Sequence, residues 1–272
     1  YSIESVDGKL WRDLADSFSQ VYKNLDWHTH LSQVVHEQLS LLQERKPESV
    51  NVIDGADISR WTVSIFFKLI FARSLTADEQ NLYYLASLEW RKEIAMKGKG
   101  NIEIKKKFYE HLERELKTSS TFHCFDDLDT SSKEVFRKKL SVIAQPFMIS
   151  PQINFSDVFA SLFSYVKSDL SLQTILLKSV ATKDFKTLGF FILETLRLHH
   201  PFPVLERELE EDFSYKSFKC SKGTQVFILL DSFNHIKDFS IEPWQSGEYN
   251  AYKSLLFGAG KRICAGKHIA LH

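Results

Sequence analysis

The stretch Phe257-Gly258-Ala259-Gly260-Lys261-Arg262-Ile263-Cys264-Ala265-Gly266 decides how the rest of this chain is read. It sets one cysteine in a glycine-punctuated turn, with an arginine two residues before it and a helical pattern just after it. A thiolate at the start of a helix is favoured by the positive end of the helix dipole and by the N–H groups exposed there. Those N–H groups also tune a sulfur that donates electrons to a metal. Gly258, Gly260 and Gly266 leave room for a flat ligand beside the main chain. Arg262 offers a forked cation suited to a carboxylate, and Phe257 is expected to cover the sulfur against water. A lone cysteine is more often a small buried hydrophobe. The ordered set Phe257, Gly260, Arg262, Cys264 and Gly266 argues for the ligand instead.

In that order and spacing the stretch resembles the cysteine loop of the cytochrome P450 family of haem-thiolate enzymes. The resemblance implies a mainly α fold, with a small β-sheet beside the haem, and a single, partial domain over 1–272. It implies haem b ligated by Cys264, with Phe257, Gly258, Gly260, Arg262 and Gly266 around it. It also implies that the family's first sheet and opening helices precede Tyr1, and that further helix and a closing hairpin follow His272.

Composition is compatible with this. Of 272 residues, 43% are hydrophobic and 26% charged, as in ordinary globular proteins. Twenty-two Phe against ten Gly and six Pro point to a large, aromatic, mostly helical interior. Lys plus Arg equals Asp plus Glu, at 35 each, which gives no argument for nucleic acid or an anionic membrane as a bulk partner. Cys124, Cys220 and Cys264 are far apart and form no C-x-x-C pair, which argues against a zinc ribbon or disulfide framework and fits a reducing compartment. No apolar run approaches the roughly 18 residues of a membrane span. The expectation is a soluble, cytoplasmic chain; an anchor upstream of Tyr1 would leave no trace in it.

Along the chain, Ser5 to Gln20 reads as a helix opened by Asp7-Gly8. The family carries a Trp there and, four residues on, a cation for the haem propionates. Trp11 matches, the later position is Ala15, and Arg12 substitutes for that cation only if the helix is rotated. Trp27 to Leu42 is a helix whose His28, His30 and His36 lack the i, i+4 spacing of ligands on one face, so they belong to a solvated face. Lys46 to Val50 is a link. Ile53 to Ser74 and Asp78 to Ala95 are helices, and Met96 to Asn101 is a flexible loop. Ile102 to Thr118 has charge pairs at helical spacing, which normally mark a solvated face; by resemblance this region is the lid of the substrate pocket. Ser119 to Ser132 is a polar connection.

Lys133 to Val166 is expected to be the long helix that crosses the haem. By resemblance, Ser150-Pro151-Gln152-Ile153-Asn154 stands where the family has Ala-Gly-x-Asp-Thr. There the acid and alcohol pass protons to dioxygen; Ile153 cannot, and the amide of Asn154 hydrogen-bonds without readily giving a proton. Pro151 is expected to open or kink the helix; read without the resemblance, Pro146 and Pro151 mark a loop and a new helix start.

Leu170 to Val180 is a short helix. Phe185 to His199 holds Glu194 and Arg197 on one face, a pairing that alone would be a surface ion pair. By resemblance it is the Glu-x-x-Arg helix that locks the core near the haem. The family completes that lock with an Arg from a Pro-Glu-Arg loop. Ile241-Glu242-Pro243-Trp244-Gln245 has none, so the lock is incomplete or differently built. His199 and His200 read as helix-end residues. Phe202 to Phe213 is extended, with Arg207 at a propionate-holding place; Phe213 to Leu230 holds a strand after Lys222-Gly223-Thr224. Asn234-His235 fits a helix start.

Three functions follow. The first is a monooxygenase that inserts one atom of O2 into a small apolar organic substrate, with Cys264 and Asn154 as catalytic residues. Its electrons come from a ferredoxin- or flavoprotein-type donor docked on Lys261, Arg262, Lys267 and His268. The second uses or rearranges a hydroperoxide steered by Asn154. The third is a non-catalytic haem-binding relative.

Overall fold

The structure is a computed structural model that describes residues 6–25, 27–45, 54–96, 100–118, 133–230, 238–250 and 255–271. The Lys46 to Val50 link, half of the Met96 to Asn101 loop, the Ser119 to Ser132 connection with Cys124, and Asn234-His235 lie outside these residues. The chain divides into two compact units, Tyr1–Ser156 and Asp157–His272.

The first unit is helical: α1 (Gly8–Asn24), α2 (Trp27–Arg45), α3 (Gly55–Phe71), α4 (Ala77–Met96), α5 (Ile102–Thr118), α6 (Lys133–Ile143) and the first residues of α7 (Ser150–Lys167). In α1, Leu14, Phe18 and Val21 recur at helical spacing and are all buried. The start of α3 is fixed by a reciprocal capping box between Asp54 and Asp57, and its length is apolar nearly all round, so most of it is core. On α2, His30 and His36 are not buried, as a solvated face requires.

The loop suggested by the two prolines does not form. α6 continues through a π-helical segment, Ala144–Ile149, straight into α7. A proline ring clashes with the carbonyl four residues back in an α-turn, and the wider π-turn relieves Pro146 of that contact. The Ser150 N–H accordingly reaches five residues back to the Gln145 carbonyl. The opening also contains Phe147, whose carbonyl lies four residues before Pro151, so it falls where a proline at 151 is expected to open the helix. Gln152, fully buried, donates its amide to the Met148 carbonyl and, at 3.3 Å, to the Tyr83 carbonyl of α4.

The second unit carries the rest of α7, then α8 (Leu170–Thr182) and α9 (Phe185–Leu198), each capped by an aspartate, Asp169 and Asp184. Strands β1 (Val204–Glu208) and β4 (Gln225–Leu229) pair antiparallel, with Arg207 opposite Val226, and β2 (Phe213–Tyr215) pairs with β3 (Phe218–Cys220). Two short helices, α10 (Glu242–Gln245) and α11 (Lys267–Ala270), flank the cysteine stretch. The core of this unit centres on Leu162, Val166, Phe191 and Ile241, and on Leu196, Trp244 and Leu256. Among the described residues, no helix is long and apolar enough to cross a membrane.

Candidate functional site

The cysteine stretch folds as a closed turn. The Cys264 N–H donates to the Phe257 carbonyl at 2.7 Å, and the Gly258 N–H donates to the Leu255 carbonyl at 2.8 Å. Gly258 and Gly260 sit at φ +72° and +69°, where a side chain would be strained. Residues Gly260–Arg262 make one 3-10 turn, and α11 begins three residues after the cysteine. Cys264 is exposed. Phe257 is half-buried, with the Lys267 ammonium 5.7 Å from its ring centre. Gly266 stands beside the sulfur, where an added methyl would touch Sγ at 3.8 Å. An exposed thiol on a turn pinned by its own backbone N–H fits one thiolate ligand to a metal with a flat group lying against the turn.

The Glu194–Arg197 pair of the same unit is no surface ion pair. Glu194 is fully buried and Arg197 is 6% exposed. Arg197 donates through Nε and Nη2, at 2.7 Å each, to the two carboxylate oxygens. The missing second arginine has been replaced. Trp244 donates its indole N–H to Glu194 Oε2 at 2.8 Å, and the Ser240 backbone N–H reaches Oε1 at 3.0 Å. Arg197 also reaches the Asp238 carbonyl at 3.5 Å and lies over the Tyr249 ring. A buried carboxylate needs its oxygens satisfied, and here neutral donors finish what a second cation would otherwise do. Trp244 was legible only as an aromatic beside Pro243; a search for an arginine passes over it.

His199 caps the end of α9, as expected of a helix-end residue. His200 does more: its Nε2 lies 2.9 Å from the Leu256 carbonyl, and its Nδ1 lies 3.0 Å from the Phe202 backbone nitrogen and 2.7 Å from the Phe202 carbonyl. The other predicted residues are spread over both units. Arg207 is exposed and donates to the Glu206 carbonyl at 2.7 Å, and Arg262 is half-buried. In the first unit, Trp11 is half-buried and Arg12 exposed on α1, while Pro151 is buried in the first turn of α7. Asn154 follows on α7, its side-chain oxygen buried with no hydrogen-bond partner among the described residues. Ser156 and Gln152 on the same helix bond to α3 residues. Asn154 is set about 200° around the helix from Gln152, on another face.

One cluster escaped the sequence reading. Glu79, His111 and Glu115 bring their ligating atoms within 4.8 Å of one another. Arg73 already supplies the cation there: its Nη2 lies 2.9 Å from Glu79 and 2.5 Å from Glu115. Burial pushes Glu79 up, but the Arg73 hydrogen bonds, the Thr76 N–H and His111 outweigh it and hold the group at about 2. Burial raises the Tyr83 phenol well above its usual value, so its O–H donates to His111 Nδ1 at 3.0 Å, and His111 Nε2–H donates to Glu79 at 2.8 Å. The charged helix α5 thus turns His111 and Glu115 inward, and only its outer face is solvated.

Comparison with known proteins agrees with this geometry. Residues 179–272 match the family model described as cytochrome P450. Ent-kaurene oxidase-like 5 of Oryza sativa subsp. japonica is 35% identical over 112 residues, covering 35% of this chain and 22% of that protein. Tabersonine 3-oxygenase of Catharanthus roseus is 32% identical over 99 residues, covering 31% and 19%. The matched part therefore spans about a fifth of the length of these relatives. The fold is similar along the whole chain to a 6-coordinated cytochrome P450 from Thermus thermophilus, with TM-score 0.70, 15% identity, and coverage of 100% of this chain and 72% of that one. CYP109E1 from Bacillus megaterium, solved in complex with testosterone, gives TM-score 0.69 at 16% identity, covering 99% and 74%. The last third of the chain thus matches the cytochrome P450 family in sequence, and the whole chain is similar in fold to solved cytochrome P450 structures.

Proposed function

We propose that this chain is the haem-binding part of a monooxygenase. Cys264 ligates the iron of haem b, and one atom of O2 is inserted into a small apolar organic substrate with electrons from a redox partner. The observation that carries the reading is the exposed thiol of Cys264 on its pinned turn, inside the stretch that matches the family. When bound, the haem supplies an iron whose thiolate ligand favours O–O cleavage.

The chain's own residues divide the remaining work. Cys264 holds the iron, and Phe257, Gly258, Gly260 and Gly266 shape the surface against which the flat group rests. Arg262 and Arg207 provide cations for its carboxylates, with Trp11, Arg12 and Pro151 assigned as neighbours by resemblance. Asn154 is assigned by resemblance; its buried side-chain oxygen, without a partner among the described residues, can accept from a water or a hydroperoxide, and its amide N–H is the group that can donate to oxygen. Neither Ile153 nor Asn154 is an acid, so proton delivery falls to water held by the amide. The electron donor, a ferredoxin or flavoprotein, docks on the basic residues Lys261, Arg262, Lys267 and His268.

Replacing Cys264 tests this. Reduced, carbon-monoxide-bound protein should show the strongly red-shifted band of thiolate ligation, and Cys264→Ser should lose that band and its turnover. Iron-free protein in which Cys264→Ser changes nothing would overturn the reading. Turnover with hydroperoxide alone, and none with donor plus O2, would move the chemistry to peroxide use.

A further inference from the structure

We propose that His200 is a positioning residue for the cysteine turn, carrying the order of α9 into the backbone that presents Cys264. The path is short and lies entirely within the second unit. His200 follows the α9 cap, two residues after the helix ends. Its Nε2 lies 2.9 Å from the Leu256 carbonyl, and the next carbonyl along the chain, that of Phe257, receives the Cys264 N–H at 2.7 Å. Two adjacent peptide groups thus carry the two ends of the connection.

The ring is itself fixed. A carbonyl can only accept, so the nitrogen facing Leu256 must carry a proton, and Nε2–H is the donor there. Nδ1 is held by the Phe202 peptide, 3.0 Å from its N–H nitrogen and 2.7 Å from its carbonyl oxygen. It accepts from the first when the ring is neutral and donates to the second when the ring is charged, so Nε2 keeps its proton in both states. The Leu256 side chain is 6% exposed and packs with Leu196 of α9 and with Trp244, the indole that completes the Glu194 lock. Leu256 is therefore held at both ends, its side chain by the lock helix and its carbonyl by His200. With both in place, rotation of the 255–257 backbone is resisted. Rotation there would swing the Phe257 carbonyl and, through it, the Cys264 N–H and sulfur. The glycines of the turn, Gly258 and Gly260, provide no such resistance, so the hold on Leu256 from outside adds to the turn's own backbone hydrogen bonds.

The spectroscopic arm of the test rests on Cys264 being the haem ligand; the chemical arm does not. In the haem-free chain, alkylation at Cys264 is followed by peptide mapping, which separates it from Cys220 and Cys124. His200→Ala should change the Cys264 alkylation rate several-fold while leaving that of Cys220 unchanged. His200→Gln, whose terminal amide N–H reaches about as far as Nε2, should restore most of the wild-type rate. In the haem-loaded chain, His200→Ala should lose the thiolate band faster at rest than the wild type, and His200→Gln should slow that loss again. Tyr83→Phe, in the first unit, serves as a control for general destabilisation and should leave both readouts at wild-type values. An unchanged alkylation rate in His200→Ala overturns the proposal. So does a rate that Gln fails to restore, because a merely space-filling role would give that result. If the wild type forms no thiolate band, the haem assignment fails while the alkylation result still decides the role of His200.

Discussion

Each unit of this molecule builds a network from arginine and glutamate, and the two are opposite in design. In the second unit one buried carboxylate, Glu194, gathers several donors: Arg197, the Trp244 indole and the Ser240 N–H. In the first unit one arginine, Arg73, is shared between two carboxylates, Glu79 and Glu115, with His111 and Tyr83 behind them. Burial differs as well. Glu194 is fully enclosed, whereas the Arg73 side chain is 37% exposed. A single anion with surplus donors is a fixed point, stable wherever it is ionised. Two anions sharing a partly wet cation respond to pH and to the loss of that cation.

The sharpest way to break this comparison is to remove the anion of the enclosed network. Glu194→Ala leaves the Arg197 guanidinium buried and unpaired, and strands the Trp244 and Ser240 N–H groups. The expected loss is about 3–5 kcal/mol, read as a lower midpoint in denaturant unfolding with little change in slope. A loss within experimental error would mean that water enters the site and that the enclosure is not maintained in solution.

The open network gives a smaller effect with a pH signature. Arg73→Leu leaves Glu79 and Glu115 facing one another, and we expect a cost of about 2 kcal/mol at neutral pH, less than for a buried pair because solvent screens the site. The sign of the pH effect follows from Glu79, held at about 2 against an ordinary value of 4.5. A carboxylate depressed in the folded state contributes stability that is present above pH 4.5 and is lost as the pH falls toward about 2. Wild-type stability should therefore decline over that window. In Arg73→Leu the decline should be shallower, since the depression is largely gone, so the two proteins converge in acid. Parallel curves would show that Arg73 does not set the Glu79 titration.

These networks also show what the residues told in advance and what they withheld. Gly258, Gly260, Arg262, Cys264 and Gly266 form a pattern of fixed spacing whose chemistry depends on local backbone, so the turn was legible at once. Helices such as Ile102–Thr118 were legible to the residue from charge pairs and apolar period. Glu194 and Arg197 were legible as a pair, since three residues place them on one face, but their enclosure was not, because burial depends on Trp244 and Ser240 from a segment far along the chain. The Arg73 cluster was hidden for the same reason. Its members come from three segments, and each alone looks like an ordinary surface charge. An opening in the long helix was legible from its prolines, but not its form, because proline chemistry forbids the α-turn without saying which wider turn replaces it. Asn154 stood out only because it departs from the acid and alcohol expected at that place.

The gentlest cut through the enclosed network asks whether Trp244 truly stands in for the absent arginine. Trp244→Phe keeps an aromatic ring against Leu196 and Leu256 and deletes the indole N–H that reaches Glu194 at 2.8 Å. Glu194 keeps Arg197 and the Ser240 N–H, so its charge stays compensated and only one acceptor direction is emptied. A hydrogen bond to a charged group contributes about 1.5–3 kcal/mol, and with partial repair by the remaining donors the expected loss is about 1 kcal/mol. Part of any larger loss would come from the smaller ring, and Trp244→Leu separates the two, since it removes both ring and donor. If Trp244→Phe is neutral while Trp244→Leu is costly, the indole is only a filler. If both are costly, the neutral donor has taken the place of the second cation, and the enclosed network depends on how many donors reach Glu194 more than on how much positive charge they carry.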